Sequence, residues 1–321
     1  MLNRDNLALP HRSGEIFLTD GGLETNMIFN RGHPLPEFAS HTLFASQEGS
    51  LELERYFRAY LELADRVQAG FIIDTATWRA QSGFAGALRV EAEELEEANR
   101  TAASFAIMMR DTYGSKRAPV LVNGVIGPWG DGYQAPKLLT ADEAEDYHAE
   151  QVRWLASAGV DMLTAVTFTN APEAIGVVRA AQRAGVPVAV SFTVETDGRL
   201  PNGQTLKDAI DMVDAATGAA PIYFMVNCAH PSHFVDVLAE GEWLSRIRGF
   251  RCNASCKSHA ELDDSEDLDC GNPVELAEAY RGLLARVPHA NVFGGCCGSD
   301  IRHLEAIADC IMDETAKAAA E

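Results

Sequence analysis

Short apolar runs rich in Val, Ile and Phe alternate along the chain with longer stretches whose apolar residues recur every three or four positions, and few architectures accept that alternation. The runs at 16–19, 71–75, 120–126, 161–167, 187–193, 222–227, 248–253 and 291–293 have the length and character of buried strands. Between them, residues such as Leu53, Tyr56, Phe57, Tyr60, Leu61, Ala64 and Val67 fall on a single helical stripe. Strand followed by helix, eight times over in 321 residues, predicts a parallel sheet closed into one (β/α)8 TIM barrel spanning residues 1–321. A doubly wound open sheet shares the element count. Its dinucleotide-binding form is disfavoured, because the first strand-to-helix connection carries no GxGxxG. No internal repeat or low-complexity linker divides the chain.

Helix boundaries agree with this pattern. Thr140 with Glu143 three residues on reads as a capping box for a helix that Gly159 closes. Asn272, Pro273 and Glu275 supply an N-cap, a first-turn proline and an acidic third position. Two connections, 19–50 and 254–272, are too long for simple turns. In a barrel both lie on the catalytic face.

Charge narrows the partners. Against 26 Lys and Arg stand 47 Asp and Glu, a formal charge of −21, and that field repels phosphate backbones and anionic bilayers. No nucleic-acid or membrane partner is expected, whereas a small cationic ligand is tolerated. No apolar run reaches the roughly 18 residues of a membrane span. Residues 1–14 lack the apolar core of a secretory signal, so a cytoplasmic protein is expected. Seven cysteines in such a chain suggest thiols kept reduced for metal or chemistry more than a disulfide framework.

Three of those cysteines stand at the carboxyl ends of predicted strands. Cys228 ends the sixth, and Cys296 and Cys297 follow the eighth within Gly294-Gly-Cys-Cys-Gly298. Upper ends of strands six and eight meet across one site in a closed barrel. Three thiolates with an open fourth position form the donor set of a catalytic zinc centre, so Zn2+ is the expected cofactor. The flanking glycines allow a sharp turn that faces both neighbouring cysteines toward one ion.

The segments Leu18-Thr-Asp-Gly-Gly-Leu-Glu-Thr25, Val226-Asn-Cys-Ala-His-Pro231 and Gly294-Gly-Cys-Cys-Gly298 resemble the three signatures of the homocysteine S-methyltransferases. The resemblance runs from about residue 15 to residue 310 with the signatures in the same order. It implies a (β/α)8 barrel that binds zinc through Cys228, Cys296 and Cys297. It also implies transfer of a methyl group from a sulfonium or quaternary ammonium donor to the thiolate of homocysteine, giving methionine. Asp20 matches the family aspartate that helps hold the amino acid's ammonium group. Thr75, Thr77 and Arg79 end strand two, where the family places substrate-facing residues. Arg79 can pair with a carboxylate in a fork geometry, and Asn123 and Asn227 can orient ligands from their strand ends.

Two departures open other readings. Many members carry a glutamate at the end of strand four, where this chain reads Ala165-Val166-Thr167-Phe168; the segment after strand seven, Arg251-Cys-Asn-Ala-Ser-Cys256, is altered as well. Either Asp20, Glu24 and loop residues hold the ammonium, or the same zinc barrel serves another thiol or demethylates another compound. A redox-responsive binding protein is the reading from a different class. Cys252, Cys256, His259 and Cys270 could close a second metal site, but their spacing fits no common finger and free thiols on an acidic loop are favoured. His230 and His233 read as the first turn of a sixth helix after Pro231. Trp78, Trp129, Tyr133, Phe38 and Phe44 fall on upper loops, where aromatic faces suit a methylated cation.

Overall fold

The computed structural model of the chain describes residues 7–133 and 138–320; the first six residues of the stretch read above for a secretory signal lie outside them. Eight parallel strands close into a barrel in sequence order. They are β1 (Phe17–Leu18), β2 (Gly70–Asp74), β3 (Val120–Ile126), β4 (Met162–Phe168), β5 (Val188–Phe192), β6 (Phe224–Asn227), β7 (Ile247–Cys252) and β8 (Val292–Gly295). Closure falls to the shortest of them. β1 pairs with β8 only through Phe17 opposite Val292 and Leu18 opposite Phe293.

Seven long helices surround the sheet among the described residues: α1 (Gln47–Val67), α2 (Ala92–Tyr113), α3 (Ala141–Ala158), α4 (Ala171–Ala184), α5 (Leu206–Thr217), α6 (Pro273–Arg286) and α7 (Ile301–Ala320). α3 opens on the Thr140–Glu143 capping box and ends at Gly159 in the left-handed conformation, and Asn272 caps α6. No α-helix forms between β6 and β7. Three 3-10 turns, Pro231–His233, Val235–Val237 and Glu242–Arg246, replace the expected sixth helix. Phe234 and Leu238 leave helical backbone geometry, and Gly241 at φ 151, just ahead of the third turn, adopts a conformation open essentially to glycine alone. His230 and His233 therefore sit on a turn. No helix of the described residues is long and apolar enough to cross a membrane.

Strand alternation sorts the barrel interior into layers. Phe17, Ile72, Leu121, Met162, Ala189, Met225 and Val292 pack together with Leu9 as an apolar lower layer. Two residues further along the same faces stand Asp74, Asn123, Thr164, Ser191 and Asn227, all buried. Polar groups at that depth must be paired, and they are. Asn123 Nδ2 donates to Asp74 Oδ1 at 2.7 Å, and Thr164 Oγ1 donates to Asn123 Oδ1 at 2.9 Å. The guanidinium of Arg251, from β7, reaches Asp20 Oδ1 at 2.6 Å and also contacts Asp74 Oδ2. Tyr56 Oη adds a bond to Asp20 Oδ2 at 3.1 Å. This polar layer is the floor on which the upper face is built.

Candidate metal centre

Cys228 lies just beyond β6 with φ 54, in the left-handed region that costs a side-chain-bearing residue roughly 1–2 kcal/mol. Its backbone is held there by several partners. Its N–H donates to the Arg251 carbonyl at 3.1 Å. Its carbonyl accepts from His259 Nε2 at 2.6 Å and from Asn253 Nδ2 at 3.0 Å. The left-handed turn brings the thiol toward the end of β8, where Cys296 and Cys297 follow.

Close approach, more than turning freedom, explains the two glycines before that pair. A Cβ on Gly294 would overlap Thr19 Oγ1, and one on Gly295 would overlap Ser299 Oγ. Gly298 supplies the turn, at φ 78. Gly294→Ala is expected to lower stability by about 1–3 kcal/mol, read as an earlier urea midpoint at unchanged slope. An unaltered midpoint would show that β8 stands further from β1 than described.

The sulfurs of Cys228, Cys296 and Cys297 all lie within 4.8 Å of one another, the one such metal-capable group among the described residues. The sulfurs of Cys228 and Cys296 come within disulfide reach, with Cα atoms 5.4 Å apart, and the other five cysteines are free, where the sequence pointed to thiols kept for metal or chemistry more than to a disulfide framework. Convergence itself is the cause: sulfurs brought together from two strand ends stand within bonding reach of one another. Cys228 Sγ and Cys297 Sγ are 3.8 Å apart. Two sulfurs each about 2.3 Å from a tetrahedral zinc stand about 3.8 Å apart, so this spacing fits the ion. Cys296 completes the set once the pair is reduced. Burial pushes the Cys297 thiol up, and a neutral thiol at that depth becomes a thiolate only with a compensating cation.

Around the sulfurs the structure places residues that the sequence did not single out for this role. Tyr133 Oη lies 3.4 Å from Cys297 Sγ and 3.7 Å from Cys228 Sγ. Its ring stacks on His259 at 4.1 Å between centroids, and His259 Nδ1 faces Glu195 Oε1 at 3.1 Å. Burial works against charge on His259, but Glu195 and the Cys228 carbonyl hold its proton affinity above the ordinary value. Both ring nitrogens can then donate, tying the loop after β7 to the carbonyl of a thiol-bearing residue. The signals were slight: Tyr133 sits among Gly130 and Gly132, and His259 follows Ser258, which forms a capping box with Glu261.

The other expected residues divide into two groups. Asn227 Oδ1 accepts from Thr167 N at 3.0 Å and from Ser191 Oγ at 2.5 Å, while its Nδ2 faces Cys296 Sγ at 3.9 Å, so it steadies the thiols. Thr75, Thr77 and Asn123 are buried in bonds to one another's strands, with Thr77 Oγ1 on the Val125 carbonyl at 2.7 Å. Asp20 is engaged by Arg251. Burial pushes its carboxyl up to about 7, with Arg251 opposing and Asp74 reinforcing the shift. Glu24 and Arg79 instead stand without an ion-pair partner among the described residues. Val166 turns its carbonyl to Trp78 Nε1 at 3.3 Å.

Cys252, Cys256, His259 and Cys270 do not gather around one point. Cys252 is buried on β7 and pushed up to about 12 by burial, Cys256 is exposed, and His259 is committed to the Cys228 carbonyl. The aromatic residues also scatter. Tyr133 covers the sulfurs and Trp78 packs beside Arg79, but Phe44 packs on Phe105 and Phe38 is exposed.

Comparison with known proteins agrees with this geometry. Residues 17–311 match the family described as homocysteine S-methyltransferase. "Homocysteine S-methyltransferase 3" of Arabidopsis thaliana is 23% identical over 214 residues, covering 64% of this chain and 61% of that protein. "Betaine--homocysteine S-methyltransferase 1" of Rattus norvegicus is 22% identical over 327 residues, covering 94% of this chain and 74% of its own length. Among solved structures, the metallated form of the homocysteine methyltransferase MmuM from Escherichia coli superposes with a TM-score of 0.73 at 18% identity, over 94% of this chain and 99% of that one.

Proposed function

Because the chain belongs to the homocysteine S-methyltransferase family and is a methyltransferase, we propose that it methylates the thiol of homocysteine to give methionine, using zinc held by Cys228, Cys296 and Cys297. The observation that carries the reading is the meeting of three sulfurs from the ends of β6 and β8 in a barrel of this family. Zinc, when bound there, lowers the proton affinity of a substrate thiol so that a thiolate is available at neutral pH.

The chain's own residues contribute positioning. Methyl transfer forms a bond from the acceptor sulfur to the methyl carbon as the donor's C–S or C–N bond breaks. The leaving sulfide or amine departs neutral with the bonding pair, and no proton moves in that step. What the protein must do is hold sulfur, carbon and leaving group in line and keep water away. Tyr133 closes over the sulfurs, Asn227 steadies Cys296, and the polar floor of Asp20, Arg251 and Asp74 fixes the depth at which an acceptor can rest. A sulfonium such as S-methylmethionine or S-adenosylmethionine, or a betaine, is the proposed donor class, and the charge of −21 favours such cations.

The test combines metal and turnover. Protein purified under reducing conditions is expected to carry one zinc per chain and to form methionine from homocysteine with at least one of these donors, whereas chelator-stripped protein forms none until zinc is restored. Stoichiometric zinc with no methionine formed from any donor would sink the acceptor; absence of zinc after reconstitution would sink the metal.

A further inference from the structure

Arg79 carries a buried cation that no carboxylate pairs with among the described residues. The residue is 7% exposed, and its guanidinium lies between the rings of Trp78 and Phe84, with Cζ 3.8 Å and 4.4 Å from their centroids. Nη1 donates to the Gly130 carbonyl at 2.6 Å, and Nε is buried with no partner. Asp131, Glu24 and Glu37 act on it through space, but none makes an ion pair with it among the described residues. Buried guanidinium groups are ordinarily paired, as Arg251 is by two carboxylates in this same barrel.

Glu24 is its counterpart. It stands on the short helical turn Leu23–Thr25 after β1, and one oxygen accepts from Ser40 Oγ at 2.8 Å while no cation makes an ion pair with the carboxylate among the described residues. Glu24 lies close enough to act electrostatically on both Cys297 and Arg79. Glu24 thus stands on the turn that packs against the Cys296–Gly298 segment, where Thr25 Oγ1 accepts from Gly298 N, and Arg79 is bonded to the loop that carries Tyr133 over the sulfurs; neither makes an ion pair with the other.

The geometry points to a receptor for an α-amino-acid group, with Arg79 taking the carboxylate and Glu24 the ammonium of a substrate whose sulfur lies at the cysteines. This rests on the methyl-transfer reading above and deepens it. It assigns the ammonium to Glu24, because Asp20 already serves Arg251, and the hydrocarbon of Val166 offers no acceptor. Either the acceptor homocysteine or an amino-acid donor such as S-methylmethionine could present that group.

Titration calorimetry on the reduced, zinc-loaded protein separates the cases. The probes are homocysteine, 3-mercaptopropylamine, which lacks the carboxylate, 4-mercaptobutyrate, which lacks the ammonium, and S-methylmethionine. Wild type is expected to bind homocysteine about 10- to 100-fold more tightly than either truncated thiol. Arg79→Gln is expected to erase the preference over 3-mercaptopropylamine and keep that over 4-mercaptobutyrate; Glu24→Gln is expected to do the reverse. Arg79→Lys keeps the charge without the fork and is expected to recover part of the loss, with zinc content and circular dichroism reporting that each variant is folded. If Arg79→Gln weakens S-methylmethionine alone, the receptor stands and its ligand is the donor. If folded Arg79→Gln and Glu24→Gln keep every preference, the receptor is overturned while the acceptor is not. If zinc-loaded wild type binds none of the thiols, the acceptor reading falls, and the receptor falls with it if S-methylmethionine does not bind either.

Discussion

Cys297→Ser is expected to bind zinc more than about 100-fold more weakly than wild type and to lose methyl transfer in proportion. Replacing a residue that merely orients a metal ligand costs about 10- to 100-fold in metal affinity, and removing a ligand exceeds that. The change is chemical more than steric. A serine hydroxyl stays protonated at neutral pH and is a hard donor, so the thiolate set falls from three to two and the site loses charge as well as a ligand. Cys256→Ser is the matched control, since Cys256 is exposed and outside the sulfur cluster. Zinc per chain by elemental analysis, with competition against a chelator of known affinity, reads both variants. Equal affinity of Cys297→Ser and wild type would remove Cys297 from the metal set.

Arg251→Met is expected to destabilise the fold by about 3–5 kcal/mol, the cost of leaving buried charge without its partner. Two carboxylates, Asp20 and Asp74, share that one guanidinium inside the barrel. The pH dependence gives a second check. Burial already raises the Asp20 carboxyl above its unfolded value of 3.8, to about 7, despite Arg251. Without the guanidinium, which opposes that rise, the folded state holds the Asp20 proton to still higher pH than the unfolded chain does. A folded state that binds more protons loses stability as pH rises through that window. Urea denaturation should therefore show the deficit of Arg251→Met growing as pH rises through about 7, where the wild-type Asp20 gives up its proton and the variant's does not, and shrinking on acidification. Replacing all three groups, Asp20→Asn, Asp74→Leu and Arg251→Met together, should recover most of the loss, because an apolar core of similar volume needs no pairing. A deficit that deepens on acidification would show that the carboxylates are not what Arg251 compensates.

What could be read from the sequence tracks how local each signal is. β3 runs over the predicted residues, Val120 to Ile126, because an unbroken apolar run has one way to bury itself. The caps at Thr140 and Asn272 are equally local, each a bond between residues three or fewer apart. The missing helix after β6 shows where locality misleads, since the apolar residues of 231–246 pack as turns once Gly241 breaks the run. Cys228, Cys296 and Cys297 were legible because adjacent cysteines between glycines at a strand end are poor core packing. Arg251 was not, because its meaning lies in Asp20 and Asp74, which closure brings from β1 and β2 to β7. Tyr133 and His259 come from separate loops and acquire a role only by stacking on each other over the sulfurs.

The two-residue seam between β1 and β8 also sets an order of assembly. That seam is the latch of the ring, and its two halves are made at opposite ends of synthesis. A nascent chain that has emerged as far as Cys228 owns one thiol of the cluster and no closed barrel; the other two arrive with the strand that completes the latch. A product cut short before β8 therefore lacks two of the three clustered sulfurs together with the closing strand, so the cluster and the ring are completed by the same stretch of chain.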